Sequence, residues 1–258
     1  MKKYYFISGL PRSGSTLLTA ILNQNPNFYS DIASPLQDML ENTITYMSET
    51  DYSININSEQ RKNVLKSIVD GYYKDNGNET IFDSSRAWTG NTPLLKSLFP
   101  YTKIICCVRD INWILDSFEK VFNKNVYYKN FFFSKEAESS VITRCKSLMD
   151  VAKEGQVIKP WLWLKEGLCL NKDMIHLVEY NDLCLDPEKT IKGIYDFIGY
   201  PYFSHDFNNV EYSNNLFDLH INTPNLHKVT GKVEYKPRES LLPNEVTQTY
   251  RGMEFWRK

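Results

Sequence analysis

The residues best equipped for chemistry in this chain are Gly9-Leu10-Pro11-Arg12-Ser13-Gly14-Ser15-Thr16. They stand between the apolar run at residues 4–7 and an apolar stripe made by Leu17, Leu18, Ile21 and Leu22, so the pattern reads strand, tight turn, helix. A turn entering a helix aims several backbone N–H groups at one point, where the helix dipole also favours negative charge. Gly14 lets backbone approach a phosphate with no Cβ in the way. Ser13, Ser15 and Thr16 add hydroxyl donors, and Arg12 adds a fork of charged ones. The spacing is GxxxxG followed by two residues, which in a nucleotide triphosphatase are Lys and then Ser or Thr. Here they are Ser15 and Thr16. The missing lysine serves the β- and γ-phosphates, and the hydroxyl after it holds magnesium. A loop without that lysine suits a ligand with no γ-phosphate, and no metal is expected.

A second anion grip is predicted at Arg109. It follows the apolar run at residues 103–108, at the end of a strand where open α/β sheets place their ligands. Ser117 comes eight residues later, on the exposed side of a stripe formed by Ile111, Ile114, Leu115, Phe118, Val121 and Phe122. Asp83 ends another apolar run, at residues 80–82, and is the candidate general base, with Asp31 as the weaker alternative. Arg86 is expected to touch the transferred group or the acceptor, and Trp88 to offer a ring for stacking. Of the histidines, His176 falls inside a predicted strand and reads as structural. His205, His220 and His227 lie in a tail whose pattern does not place them.

The elements that position these residues alternate between strand and helix, which predicts an α/β fold of three layers, with a mostly parallel sheet flanked by helices. Strands are expected at residues 4–7, 80–82, 103–108 and 174–178. Helices are expected after Thr16, from Pro35, over 58–73 and 93–99, from Ile111, and from Asp186-Pro187-Glu188, whose cap, proline and acid form a strong start signal. Asp110 is the natural cap of the helix at Ile111. Residues 134–170 read as helical without clear boundaries. From about residue 200 to 258 the chain is rich in Asn, Pro and Gly, and this tail is expected to cover the core or a site. The whole chain, 1–258, is read as one domain.

Residues 11–16 resemble the loop of sulfotransferases that use 3′-phosphoadenosine-5′-phosphosulfate (PAPS), a Pro-Lys/Arg-Ser-Gly-Ser/Thr-Thr segment after the first strand. Val108-Arg109-Asp110 with Ser117 resembles that family's second signature. The resemblance implies a P-loop-like fold, a 5′-phosphosulfate held by Pro11 to Thr16, and a 3′-phosphate held by Arg109 and Ser117. It further implies that Arg12 stabilises the leaving phosphate and that the product is adenosine 3′,5′-bisphosphate. Residues 178–183 resemble the family's Tyr-Glu-Asp-Leu segment, with Asn181 in place of the glutamate. By that likeness Tyr180 lies near the adenine, although a core or capping role reads equally well. The family's Arg-Lys-Gly segment has no clean match. Lys228 and Lys232 are the two alternatives for its role.

Bulk composition narrows the partners. The chain has 258 residues and a formal net charge of -1, so no global basic field marks it for nucleic acid. The 30 lysines and arginines still allow a local basic pocket. No stretch approaches the ~18 apolar residues of a membrane span. Five cysteines without a CxxC pair predict reduced thiols and a cytoplasmic protein. The expected acceptor is a small molecule or a glycan. Aromatic residues Tyr127, Tyr128, Phe131, Phe132, Phe133, Trp161 and Trp163 are candidates to line its pocket, or else belong to the core. A P-loop phosphotransferase and a non-catalytic nucleotide-binding protein are the competing readings.

Overall fold

The computed structural model describes residues 2–124 and 140–257. In chain order, β1 (Lys3–Gly9), α1 (Ser15–Leu22), β2 (Phe28–Ser30), α2 (Leu36–Glu49), α3 (Ser58–Tyr72), β3 (Thr80–Ser84), α4 (Thr92–Leu98), β4 (Ile104–Val108) and α5 (Ile111–Lys124) come first. Then come α6 (Val141–Leu148), α7 (Ile158–Asn171), β5 (Ile175–Glu179), α8 (Tyr180–Leu185) and α9 (Pro187–Ile198). The tail holds β6 (Val210–Tyr212), α10 (Asn215–His220), β7 (Val229–Gly231) and α11 (Asn244–Thr249).

Among the described residues, five strands form one parallel sheet in the order β2-β3-β1-β4-β5. The expected α/β architecture is therefore present. Side chains alternate across β1. Tyr4 and Phe6 pack with α2, α3, α4 and α7, while Tyr5 and Ile7 pack with α1 and α9 on the other face. The inner strand β4 is buried at all five positions, from Ile104 to Val108. Each such aliphatic side chain contributes about 2 kcal/mol by leaving water, which is why this unbroken apolar run cannot sit at a sheet edge.

Strand register sets the site. Ile7 pairs with Ser84 and Gly9 with Cys107, so β1, β3 and β4 end side by side. The turn after β1, the segment after β3 and Arg109 after β4 therefore meet at one rim. The cap at Asp110 is present, its carboxylate accepting from Trp113 N at 3.1 Å. So is the cap at Asp186, which accepts from Lys189 N at 3.2 Å.

Three features differ from the sequence reading. β2 has only three residues, too few for a periodic pattern, and Asp31 follows it directly. Ser117 is buried, not exposed, because the tail covers that side of α5. The tail is loop-rich and covers the core, as expected, but carries short elements that the sequence reading did not resolve. β6 and β7 pair antiparallel, Val210 and Val233 pack into the α1 side of the core, and Leu242 and Val246 pack against the α5 and α6 cluster.

Candidate functional site

The turn after β1 is shaped by backbone that side chains rarely adopt. Gly9 has φ 114°, and a Cβ there would lie 2.1 Å from the Cys107 carbonyl oxygen. Arg12 has φ 58° and Gly14 φ 97°. Ser13 donates its hydroxyl to the carbonyls of Leu10 and, at 2.9 Å, Cys107. The expectation of Ser13 as a hydroxyl donor to ligand is thus corrected, since the group ties the turn to β4 instead. Pro11 is buried and has no N–H, so it shapes the turn. Gly14 caps α1 without a side-chain bond, and Ser15 and Thr16 stand half-buried in its first turn. The first N–H groups of a helix have no partner within it.

Four arginines converge on this turn. Arg12 feels the positive charge of Arg86, Arg109 and Arg238. Burial, first, and these like charges lower its pKa to about 10, and burial does the same to Arg86. Arg12 Nε donates to Ser117 Oγ at 3.1 Å, so the two expected anion grips are joined directly. Arg109 donates to the Arg12 carbonyl at 3.3 Å and stacks on the Tyr180 ring, 4.0 Å from its centroid. Tyr180 also lies against Gly14, where an added Cβ would come within 2.7 Å of its ring. Arg86 donates to Gln156 Oε1 at 3.2 Å. Among the described residues no carboxylate pairs with Arg12 or Arg109, and Arg109 Nε is buried with no hydrogen-bond partner. A buried, unsatisfied charged donor is costly. The cluster therefore fits a polyanion carrying more than one phosphate-like group.

The tail supplies a histidine that the sequence did not place. His227 lies close enough to Arg12 and Arg86 for their charges to act on it. Asp218 on α10, 1% exposed, accepts both from His227 N at 3.0 Å and at the ring Nδ1, 2.5 Å away. An ionised carboxylate only accepts, so Nδ1 carries the proton and Nε2 keeps a free lone pair. Burial, first, together with the two arginines, holds the imidazole below its ordinary pKa, while Asp218 pulls the other way. Turns with positive φ at Asn222 and Asn225 return the chain so that residue 227 meets residue 218. His176 sits in β5 beside Phe197, as a structural residue would.

Other expectations need correction. Asp83 is 1% exposed and accepts from Tyr73 Oη at 2.6 Å and Trp88 Nε1 at 2.7 Å. Burial pushes its carboxyl up, while Ser34, Tyr73 and Trp88 bond to it. It is an enclosed core group rather than an accessible base. Trp88, 1% exposed and edge-on to Phe6 at 4.8 Å, is a core residue whose indole N–H is spent on Asp83. We expect Asp83→Asn to lower stability by about 1–3 kcal/mol in urea unfolding without changing turnover per folded molecule. A variant as stable as wild type but inactive would restore Asp83 as the base. Asp31 accepts from Tyr212 Oη and from its neighbour Ile32 N. Lys228 and Lys232 are exposed, and neither is among the charges acting on Arg12, whereas Arg238 is.

Of the aromatic candidates, Trp161 bonds to the Met253 carbonyl at 3.0 Å and packs on Phe255, in the core. Trp163 lines an open cavity of about 430 Å³ between α2, α4 and α7. Tyr127, Tyr128, Phe131, Phe132 and Phe133 lie outside the described residues. No helix among the described residues is long and apolar enough to cross a membrane.

Comparison with known proteins agrees with this fold. The profile of the Sulfotransferase family matches residues 5–204. A sulfotransferase from Alicyclobacillus acidocaldarius superposes with a TM-score of 0.52 at 14% identity, over 85% of this chain and 90% of that one. The sulfotransferase domain from the curacin biosynthetic pathway gives 0.50 at 19% identity, over 79% of this chain and 76% of the other. At these identities the likeness is one of fold. None of the curated proteins matches the chain in sequence.

Proposed function

The chain belongs to the sulfotransferase family, and on that footing we propose that it transfers the sulfuryl group of PAPS to a hydroxyl or amine of a small-molecule or glycan acceptor, leaving adenosine 3′,5′-bisphosphate. The observation that carries this reading is the cluster Arg12, Arg86, Arg109 and Arg238, with Arg109 Nε buried and unpartnered. A ligand with separated 5′ and 3′ anionic groups satisfies both ends of that cluster. The uncharged Ser15, where a triphosphatase has lysine, agrees with it.

When bound, PAPS supplies a sulfuryl group whose bond to the 5′-phosphate breaks as the acceptor atom bonds to sulfur. The chain's own groups do the rest. N–H groups of the first turn of α1 and the Arg12 guanidinium hold the 5′ end and take up the charge that grows on the leaving phosphate. Arg109, Ser117 and Arg238 hold the 3′-phosphate, and Tyr180, already stacked on Arg109, borders the adenine. Lys228 and Lys232, implied by resemblance, have no part in this assignment. Arg86, whose charge reaches Arg12, faces the transferring group. His227 Nε2 takes the proton from the attacking hydroxyl or amine, with Asp218 holding the ring and favouring its charged form. Unpaired thiols, four of the five buried, are in keeping with a cytoplasmic setting.

Thermal unfolding tests the class. Adenosine 3′,5′-bisphosphate at 100 times its Kd should stabilise the protein by about 2.7 kcal/mol, with or without chelator. Stabilisation by ATP with magnesium, and none by the bisphosphate, would make the chain a phosphotransferase instead. Binding without turnover across a panel of phenolic, sugar and amine acceptors would favour a non-catalytic role.

A further inference from the structure

Helix α5 presents Trp113, Asp116 and Lys120 at spacings of three and four, one face of a helix. All three grip the tail. Asp116 Oδ2 pairs with Arg238 Nη2 at 2.9 Å, and Asp116 Oδ1 accepts from Leu241 N at 2.8 Å. Lys120 pairs with the same carboxylate at 3.0 Å and donates to the Glu239 carbonyl, also at 3.0 Å. The Trp113 ring lies 5.5 Å from the Arg238 guanidinium. Asp116 is completely buried, although it is charged and sits on a helix that faces the tail. Its chain neighbour, Ser117, receives Arg12.

Arg238 acts electrostatically on both Arg12 and Arg109. A guanidinium on an exposed tail, beside two others, is repelled toward water unless something holds it. Asp116 is the one carboxylate paired with it among the described residues. The pair engages a single guanidinium nitrogen, and among the described residues no other carboxylate takes the remaining donors of the fork. Three arginines and Lys120 still outweigh one carboxylate, so the site stays positive.

We infer that Asp116 is a positioning residue, which anchors segment 238–241 to α5 so that Arg238 faces the phosphate position beside Ser117 and Arg109. This rests on the proposed function, because it takes that position to hold a 3′-phosphate. Asp116 touches no ligand. It sets the cost of bringing Arg238 into a field that repels it, and so couples tail closure to nucleotide recognition.

The test compares two nucleotides by calorimetry, adenosine 3′,5′-bisphosphate and adenosine 5′-phosphate, in wild type, Asp116→Asn, Arg238→Met and the double variant. Wild type should prefer the bisphosphate. Asp116→Asn should weaken the bisphosphate on the order of tenfold and leave the monophosphate nearly unchanged. Arg238→Met should do the same, and the double variant should bind no worse than Arg238→Met alone. Equal affinity of wild type for both nucleotides would refute the 3′-phosphate reading itself. A wild-type preference that survives Asp116→Asn, an equal loss of both nucleotides, or losses that add in the double variant would overturn the role of Asp116. Should Asp116→Asn not fold, Arg238→Met decides the matter from the exposed side. Wild-type binding of both nucleotides by that variant overturns the inference.

Discussion

Arg12→Ala should weaken binding of adenosine 3′,5′-bisphosphate on the order of 100-fold, or about 3 kcal/mol. The size follows from its surroundings. Arg12 is surrounded by like charges, and among the described residues its one side-chain partner is the Ser117 hydroxyl. Its charged donors therefore await an anion rather than an internal carboxylate. The backbone complicates a plain alanine substitution, because residue 12 has φ 58°. Arg12→Gly separates the two effects. It removes the guanidinium but relieves the backbone, so it should bind as weakly as alanine while unfolding no more easily than wild type. Arg12→Lys should recover only part of the affinity, since a point charge does not reproduce the fork. Arg109→Ala should lose a comparable amount. Wild-type affinity in both alanine variants, measured by calorimetry, would show that the nucleotide binds elsewhere.

His227→Gln should lower kcat by about 10²- to 10⁴-fold, the usual worth of a positioned base, and leave nucleotide affinity within about twofold. The pH profile carries the sharper signature. Burial and the arginines hold the His227 pKa below the ordinary histidine value. The base is competent when neutral, so kcat/KM should be flat near pH 7 and fall as the pH drops through that lowered pKa. Asp218 favours the charged ring. Asp218→Asn should therefore move the acidic limb to still lower pH while reducing kcat. An acidic limb that stays in place in Asp218→Asn, or a His227→Gln enzyme with unchanged kcat, would remove the pair from the mechanism.

The parts of this site that were legible in the sequence are those whose chemistry is local. The turn at residues 9–16 is specified by its own glycines, hydroxyls and flanking apolar runs. Arg109 is marked by the buried strand before it. The proposed base was not legible, because its two members are nine residues apart in a tail without periodicity, joined by asparagines whose left-handed φ no apolar pattern reveals. An aspartate, an Asn-rich turn and a histidine were the available signal. Asp83 misled for the opposite reason. A carboxylate at the end of a strand looks catalytic until Tyr73 and Trp88, ten and five residues away, are seen to enclose it. Ser117 read as exposed because the apolar stripe of α5 ran elsewhere, and its neighbour Asp116 was not singled out. The surface that buries them belongs to residues 238–241, over a hundred positions later. Strands and helices were legible where runs were long, and β2 was lost because three residues make no period.

The crowding of Arg12, Arg86, Arg109 and Arg238 also governs the protein before any nucleotide arrives. Such a pocket condenses counter-ions from whatever solution surrounds it, and the proposed nucleotide would have to displace them. Apparent affinity will then depend on which salt is present, not merely on ionic strength. Chloride should be displaced readily, while sulfate and phosphate, with the shape of the groups the pocket is built to hold, should act as competitors. A cell's own pool of inorganic anions becomes, in effect, a standing tax on turnover.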